Sequence, residues 1–498
     1  MTLKITVRKV LLVGFMVLLA LILRPVFFLL YVYAKDAKTL TTQKSSIIQD
    51  ASHLNEVRID TLVKVSKNID EATSQIKELI TIAKSQHKSI SIAGAQHTMG
   101  GHTIFKDGIV LDMRNFNYMK LDTTSDILLV GAGALWSEVI PYLNQYQKSV
   151  KVMQSNNSFS VGGSVSVNCH GWQANTPPIA SMVLSLRLID ANGQIMDCSR
   201  DENGELFSLV LGGYGLFGVI LDMKLKVADN QIYVARQYII KSKDYFKTFK
   251  MNLKNGGDIE MAYGRINVNP DNFMEEAILS TYSIKKPITE ENSNRYTFTA
   301  VRRSLFRGSV NSNYGKELRW SAEKMAAKAI NGATFSRNKL LSEGVEVFQN
   351  TDSNYTDILH EYFVPGDSLA GFIGALQKII PNYEVDLLNI TVRNVMRDRD
   401  TYLAYANNDM FGLVMLFNQK KDKASEDQMK ALTQQLIATV IRFKGTYYLP
   451  YRLHATKELM YSAYPKAPSF FGLKLKYDPL QVFQNQFYDK YRPLSSRR

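Results

Sequence analysis

Two glycine-rich loops hold the side chains whose types and spacing are best suited to chemistry. The first is Gly94-Ala95-Gln96-His97-Thr98-Met99-Gly100-Gly101-His102, directly after the apolar run SISIA at 89–93. The second is Val161-Gly162-Gly163-Ser164-Val165-Ser166-Val167-Asn168-Cys169-His170-Gly171. Small residues let backbone N–H groups approach a pyrophosphate closely, and hydroxyls such as those of Ser160 and Ser166 add donors. Together the loops are expected to form an anion cradle. Two other glycine patterns fail as dinucleotide fingerprints. Gly213-x-Gly215-x-x-Gly218 has the spacing but precedes a strand pattern instead of following one and opening a helix, and Gly131-Ala-Gly133 is followed by Trp136 where a third glycine belongs. A Rossmann domain is therefore not expected.

The elements that must position these loops can be read from periodicity. Asn68 followed by Glu71 predicts a helix start, with Ile76, Leu79, Ile80 and Ile82 giving it an apolar face to about Gln86. SISIAG, GIVLDM, DILLVGAG, MVLSLRLID and GVILDMKLKV read as strands, LWSEVIPYLNQY as a helix, and DANG at 190–193 as a turn. From about Asn230 the strands lengthen and alternate, which places the start of a second domain there. The expected division is an anchor at 1–34, a polar linker at 35–54, a first domain at 55–228, a second at 229–440 and a final segment at 441–498.

The anchor is the run Val10–Ala34, long enough to cross a hydrocarbon core of ~30 Å and interrupted only by Arg24 and Pro25. It reads as one membrane-spanning helix, tilted, kinked at Pro25 or with Arg24 snorkelling; charges flanking both ends leave its orientation open. In the whole chain of 498 residues, 45% are hydrophobic and 21% charged, which excludes a disordered, collagen-like or polytopic membrane protein. Two cysteines exclude a disulfide scaffold and a cysteine-rich zinc module, and no metal is expected. The net charge of +14 is spread along the chain, so no nucleic acid partner is expected. A local excess lies at 301–340, nine basic residues against Glu317 and Glu323; it reads as a solvated helix face or a contact for anionic lipid or substrate.

The paired loops, with GGYGLFGVI at 212–220, resemble the vanillyl-alcohol-oxidase type of FAD-binding domain, also called PCMH-type, over roughly residues 51–228. In that family the first loop commonly reads G-x-x-H-S-x-G-G, and the second V-G-G with a small-residue run ending in H-G or H-N. The resemblance implies an α+β fold: a two-subdomain FAD-binding domain and an antiparallel-sheet substrate domain, preceded here by the transmembrane helix. It also implies FAD as cofactor, contacted by Ala93, Gly94, Ala95, Gln96, His97, Thr98, Met99, Gly100, Gly101, Ser155, Ser160, Val161, Gly162, Gly163, Ser166, Val167, Asn168, His170, Gly218, Ile220 and Tyr448. His97 stands where many members bond covalently to the flavin 8α-methyl carbon. A histidine that only hydrogen-bonds FAD, or attachment at His102, remains open. No cysteine precedes V-G-G, so a second covalent bond is not implied, and Cys169 reads as a small buried residue.

The carboxyl-terminal GTYYLPYRLHATKELMYSAYP resembles the end of aldonolactone oxidases and of decaprenylphosphoryl-ribose 2-oxidase, with Tyr448 matching a tyrosine near the ring. Where the latter carries a catalytic lysine, this chain has Tyr451 followed by Arg452. Arg393 keeps the arginine of the E-x-R of lactone and alditol oxidases, whereas the glutamate is replaced by Thr391. The resemblance implies a membrane-anchored, FAD-dependent oxidoreductase of a sugar, aldonolactone, polyol or lipid-linked sugar. It would pass hydride from a CH–OH carbon to flavin N5 and be reoxidised by oxygen or a quinone. The candidate catalytic residues are Tyr448, Tyr451, Arg393 and Arg452, with either tyrosine or an arginine-held water taking the hydroxyl proton. The alternatives are an NADPH-dependent reductase of a C=C bond and a non-catalytic, membrane-anchored flavin-binding protein.

Overall fold

Asn68 begins the first helix of the body because its Oδ1 accepts from the amides of Asp70 (2.9 Å) and Glu71 (3.2 Å), which have no partner within the helix. The helix, Ile69–Ser85, buries Ala72, Ile76, Ile80 and Ala83 as one stripe. It is the crossover that lets Thr61–Lys64 and Ile90–Ala93 flank Ile109–Asp112 in a three-stranded parallel sheet. The computed structural model describes residues 2–36, 47–255, 258–285 and 299–493; positions 37–46 of the expected linker lie outside them.

A second, antiparallel sheet runs in the order Ile195–Ser199, Val183–Ile189, Val219–Asp229, Ile127–Gly131, Met119–Asp122, and Lys148–Val150 also pairs with Val219–Asp229. The third sheet has eight strands, all antiparallel, in the order Thr334–Ser336, Ile232–Lys241, Glu276–Ile284, Ile259–Ile266, Asp386–Val395, Met410–Lys420, Tyr355–Pro365 and Thr446–Tyr447. Helices Asn313–Ile330, Leu369–Ile379 and Lys423–Arg442 accompany it. The fold is α+β. Gly213, Gly215 and Gly218 form the turn before strand Val219–Asp229, so no helix opens there.

The amino-terminal helix, Thr2–Lys35, continues unbroken through Pro25. Its stretch Lys9–Lys35 is long and apolar enough to cross a membrane, and its large apolar side chains from Val10 to Tyr33 are largely exposed. The Arg24 guanidinium lies 3.8 Å over the Tyr314 ring, where it makes a cation–π contact. Phe28 packs edge-on against the same ring at 5.2 Å, and Asp36 pairs with Arg303. The basic stretch 301–340 is likewise not a free cationic face. Arg302, Arg303, Arg307, Lys316, Arg319, Lys324 and Arg337 pair with Glu343, Asp36, Asp357, Asp386, Glu323, Glu276 and Glu260 respectively.

The carboxyl-terminal segment returns to the first sheet. Ile90 donates to Val482 O (2.7 Å) and its carbonyl accepts from Gln484 N (3.0 Å). Asp478, fully buried, pairs with the fully buried Lys474 and accepts from the amides of Val482 and Phe483, both at 2.9 Å. Asp478→Ala strands the lysine in the core and is expected to cost ~3–5 kcal/mol in denaturant unfolding.

Candidate functional site

A cavity of about 1030 Å³ lies where both glycine loops face the eight-stranded sheet. Its loop wall is made possible by missing side chains. A Cβ on Gly162 would come within 2.8 Å of the Ala132 carbonyl, and one on Gly133 within 1.8 Å of the Met113 carbonyl, so these two let backbone pack on backbone. A Cβ on Gly163 would meet only the Ser160 hydroxyl, at 2.8 Å, and one on Gly94 would meet the same serine. The Ser160 hydroxyl also accepts from Ala95 N at 3.3 Å, tying one loop to the other.

His97 lines this cavity, stacked on Phe159 with ring centroids 3.9 Å apart. Burial lowers its pKa, which keeps the imidazole neutral. With Nε2–H donating to the Ser158 carbonyl at 3.2 Å, the lone pair is left on Nδ1. His102 is wedged against Tyr214 and Phe487, its pKa pushed down to about 3 by burial.

Ala93, Gly94, Ala95, Gln96, Thr98, Met99, Ser155, Ser160, Gly162, Gly163, Ser166, Val167, His170, Gly218, Ile220 and Tyr448 also line the cavity, as do Tyr451 and Arg393. Gly100, Gly101, Val161, Asn168 and Arg452 do not. Gly100 packs on the Tyr451 carbonyl, and Gly101, at φ +66°, packs on Gln486 and donates to Asp50 at 2.7 Å. Val161 is fully buried in the core. Asn168 spans Asp398 (2.8 Å) and Ala180 N (3.2 Å), a structural bridge. Arg452 turns away to Glu426 and, at 2.8 Å, to Asn55. Cys169 and Cys198 are both free and buried, and burial pushes the Cys169 thiol up to about 12.

Arg393, on strand Asp386–Val395, donates to Ser155 Oγ at 2.7 Å, and its buried Nε has no partner. Arg393 pulls the Tyr451 pKa down, as a neighbouring positive charge must, but the net shift is upward. Burial raises both Tyr448 and Tyr451 well above the ordinary phenol value; for Tyr451 the Glu361 carboxylate adds to this and outweighs the opposing effect of Arg393. The Tyr448 hydroxyl donates to Val167 O at 2.9 Å.

Glu361 is the residue that sequence reasoning missed. It lies in the cavity wall, 2% exposed, with Oε1 2.7 Å from His170 Nε2. The two are not aligned as a hydrogen bond, so neither atom has a partner. The available signal was a glutamate which, with His360 before it, interrupts the apolar run ILHEYFV at 358–364 and is costly to bury unless it is used.

The residues present fit a flavin dinucleotide. Side-chain donors of Gln96 and Thr98 are buried at the cavity without partners, beside a glycine cradle that side chains would fill. Comparisons agree: residues 71–199 match the family model described as FAD binding domain. Cytokinin dehydrogenase 2 of Arabidopsis thaliana is 30% identical over 185 residues, 36% of this chain and 36% of that protein. L-gulonolactone oxidase of Bos taurus is 26% identical over 156 residues, 31% of this chain and 35% of that protein. An uncharacterized oxidoreductase of Rhodococcoides fascians is 27% identical over 210 residues, 41% of this chain and 47% of that protein. The chain thus spans less than half the length of these curated relatives. The crystal structure of 6-hydroxy-D-nicotine oxidase from Arthrobacter nicotinovorans superposes with a TM-score of 0.62 at 16% identity, covering 88% of this chain and 93% of that one, and so shares the fold. The chain carries a PCMH-type FAD binding domain.

The two adjacent glycines separate fold from binding. Gly162→Ala forces backbone apart and is expected to cost ~1–3 kcal/mol by overpacking. Gly163→Ala is expected to keep its melting temperature and to hold FAD more weakly, measured by flavin retention on dialysis.

Proposed function

We propose that this protein is an FAD-dependent oxidoreductase that oxidises a CH–OH group. The observation that carries the reading is one continuous cavity shared by both glycine loops and the polar inner face of the eight-stranded sheet, including Arg393, Thr391, Asn389 and Arg265. Bound there, FAD supplies an acceptor for the electron pair of the donor's C–H bond. The protein does the rest. Arg393, always charged, offers its unpartnered Nε to a donor oxygen. Tyr448 and Tyr451, whose rings lie 5.5 Å apart, shape the end of the cavity and exclude water. His97 presents an unprotonated Nδ1, the form needed for covalent attachment of the flavin.

The far arm of the cavity favours a donor with an apolar portion, the lipid-linked alternative among those expected. Beside Arg302 and the Arg319–Glu323 pair, it is lined by Leu305, Phe306, Ala322, Ala326 and Ile330, from the two helices Thr299–Arg307 and Asn313–Ile330. The amino-terminal helix docks on the same pair through Arg24, Phe28 and Asp36, and Met325 on the outer side is 73% exposed. We read the amino-terminal helix as a membrane anchor that brings this arm to the bilayer surface, with a quinone or oxygen as electron acceptor.

Acid precipitation is expected to leave the flavin colour in the pellet, and His97→Ala to release it. An anaerobic panel of sugars, aldonolactones, polyols and alkyl glycosides tests the reaction. Flavin bleaching by at least one hydroxylated donor, with alkyl glycosides acting at lower concentration than the free sugar, is expected. Bleaching by NADPH alone would contradict the reading.

A further inference from the structure

We propose that Glu361 is the catalytic base, taking the donor's hydroxyl proton on its carboxylate. This rests on the CH–OH reading above. Register places the residue. Glu361 lies opposite Val414, and Val414 lies opposite Thr391, so the three form one row across three strands, and all three line the cavity. The neighbouring row is Phe363, Gly412 and Arg393. A Cβ on Gly412 would stand 3.0 Å from Glu361 Oε1 and 2.8 Å from the Phe363 ring, so this glycine makes room for the carboxylate. The strand that carries Arg393 has Thr391 and no acid on the cavity side; the acid comes from two strands away.

The surroundings suit a proton acceptor. Glu361 Oε1 is buried and unpartnered, and Oε2 lies 3.5 Å from the Tyr451 hydroxyl. A buried carboxylate oxygen without a hydrogen bond is costly, and a donor hydroxyl would supply the missing one. The groups facing it are His170 from the second glycine loop, Arg393 from its strand, Tyr405, and Tyr448 and Tyr451 from the returning segment. Arginine has no lone pair to offer, and Tyr448 already donates its proton to Val167 O. His170, 2.7 Å from the carboxylate, orients it and shares the proton once it arrives. The step balances: the donor's O–H bond breaks and its proton goes to Glu361, the C–H bond breaks with its electron pair passing to the flavin, and a C=O bond forms. The proton then leaves to solvent.

Sulfite, an anion that adds to flavin N5, is a probe that needs no knowledge of the donor. In the full-length holoenzyme, Glu361→Gln removes a negative charge from beside the reacting position. Sulfite is expected to bind at least about tenfold more tightly, or to bind where wild type shows none. In parallel, kcat for a donor found in the panel is expected to fall at least about a hundredfold, with KM changed little. An unchanged sulfite affinity in a variant that holds its flavin overturns the proposal. Should Glu361→Gln lose FAD, Glu361→Asp, which keeps the charge and shortens the reach of the carboxylate, must lower kcat at least about tenfold with sulfite affinity changed little; an unchanged kcat there overturns it equally. Failure of wild type to bind flavin would instead overturn the functional reading itself.

Discussion

The return of the carboxyl-terminal segment onto the first glycine loop is the constraint on which the rest of the site depends. Met99 N donates to Pro450 O at 2.9 Å, and Gly100 has no side chain because the Tyr451 carbonyl occupies its space. Asn485 donates to the carbonyls of His102 (3.0 Å) and Tyr214 (2.8 Å), locking two loops with one amide. The buried Lys474–Asp478 pair fixes the following turn. Tyr448 and Tyr451 therefore reach the cavity only while this segment is docked. The segment, with its short helices Lys457–Ala463, Ala467–Tyr477 and Gln486–Tyr491, is held by these bonds, by the buried charge pair and by buried aromatic rings such as Phe470, Phe483 and Phe487.

Against that frame, the eight-stranded sheet supplies chemistry by alternation. Residues two apart on a strand share a face, and partners across strands share a row. Arg393 and Thr391 face the cavity together, and so do Glu361 and Val414. The cavity is polar on the sheet side and near the loops; under the helices beside the amino-terminal helix, apolar side chains line it together with Arg302 and the Arg319–Glu323 pair.

What was legible in the sequence was local. The Asn68 cap, the strands around the loops and the cradle glycines each depend on residues within a few positions of one another. Long-range register was not legible. Glu361 acquires its place only when strand Tyr355–Pro365 pairs with Met410–Lys420 in a particular register, and a one-residue slip would turn it to the other face. Arg452 was misplaced for a related reason: next to Tyr451 in an irregular segment, it points the opposite way and pairs with Glu426. The basic stretch 301–340 looked like a free surface because its carboxylate partners come mostly from other parts of the chain, between Asp36 and Asp386.

The central claim is that the two glycine loops and the returning segment enclose one FAD. The most direct measurement is the visible spectrum of the full-length protein purified in mild detergent, with the flavin quantified against protein. A flavin spectrum at one FAD per chain is expected, and its loss when the segment's clamp is broken. A colourless protein that takes up no FAD on reconstitution would contradict it.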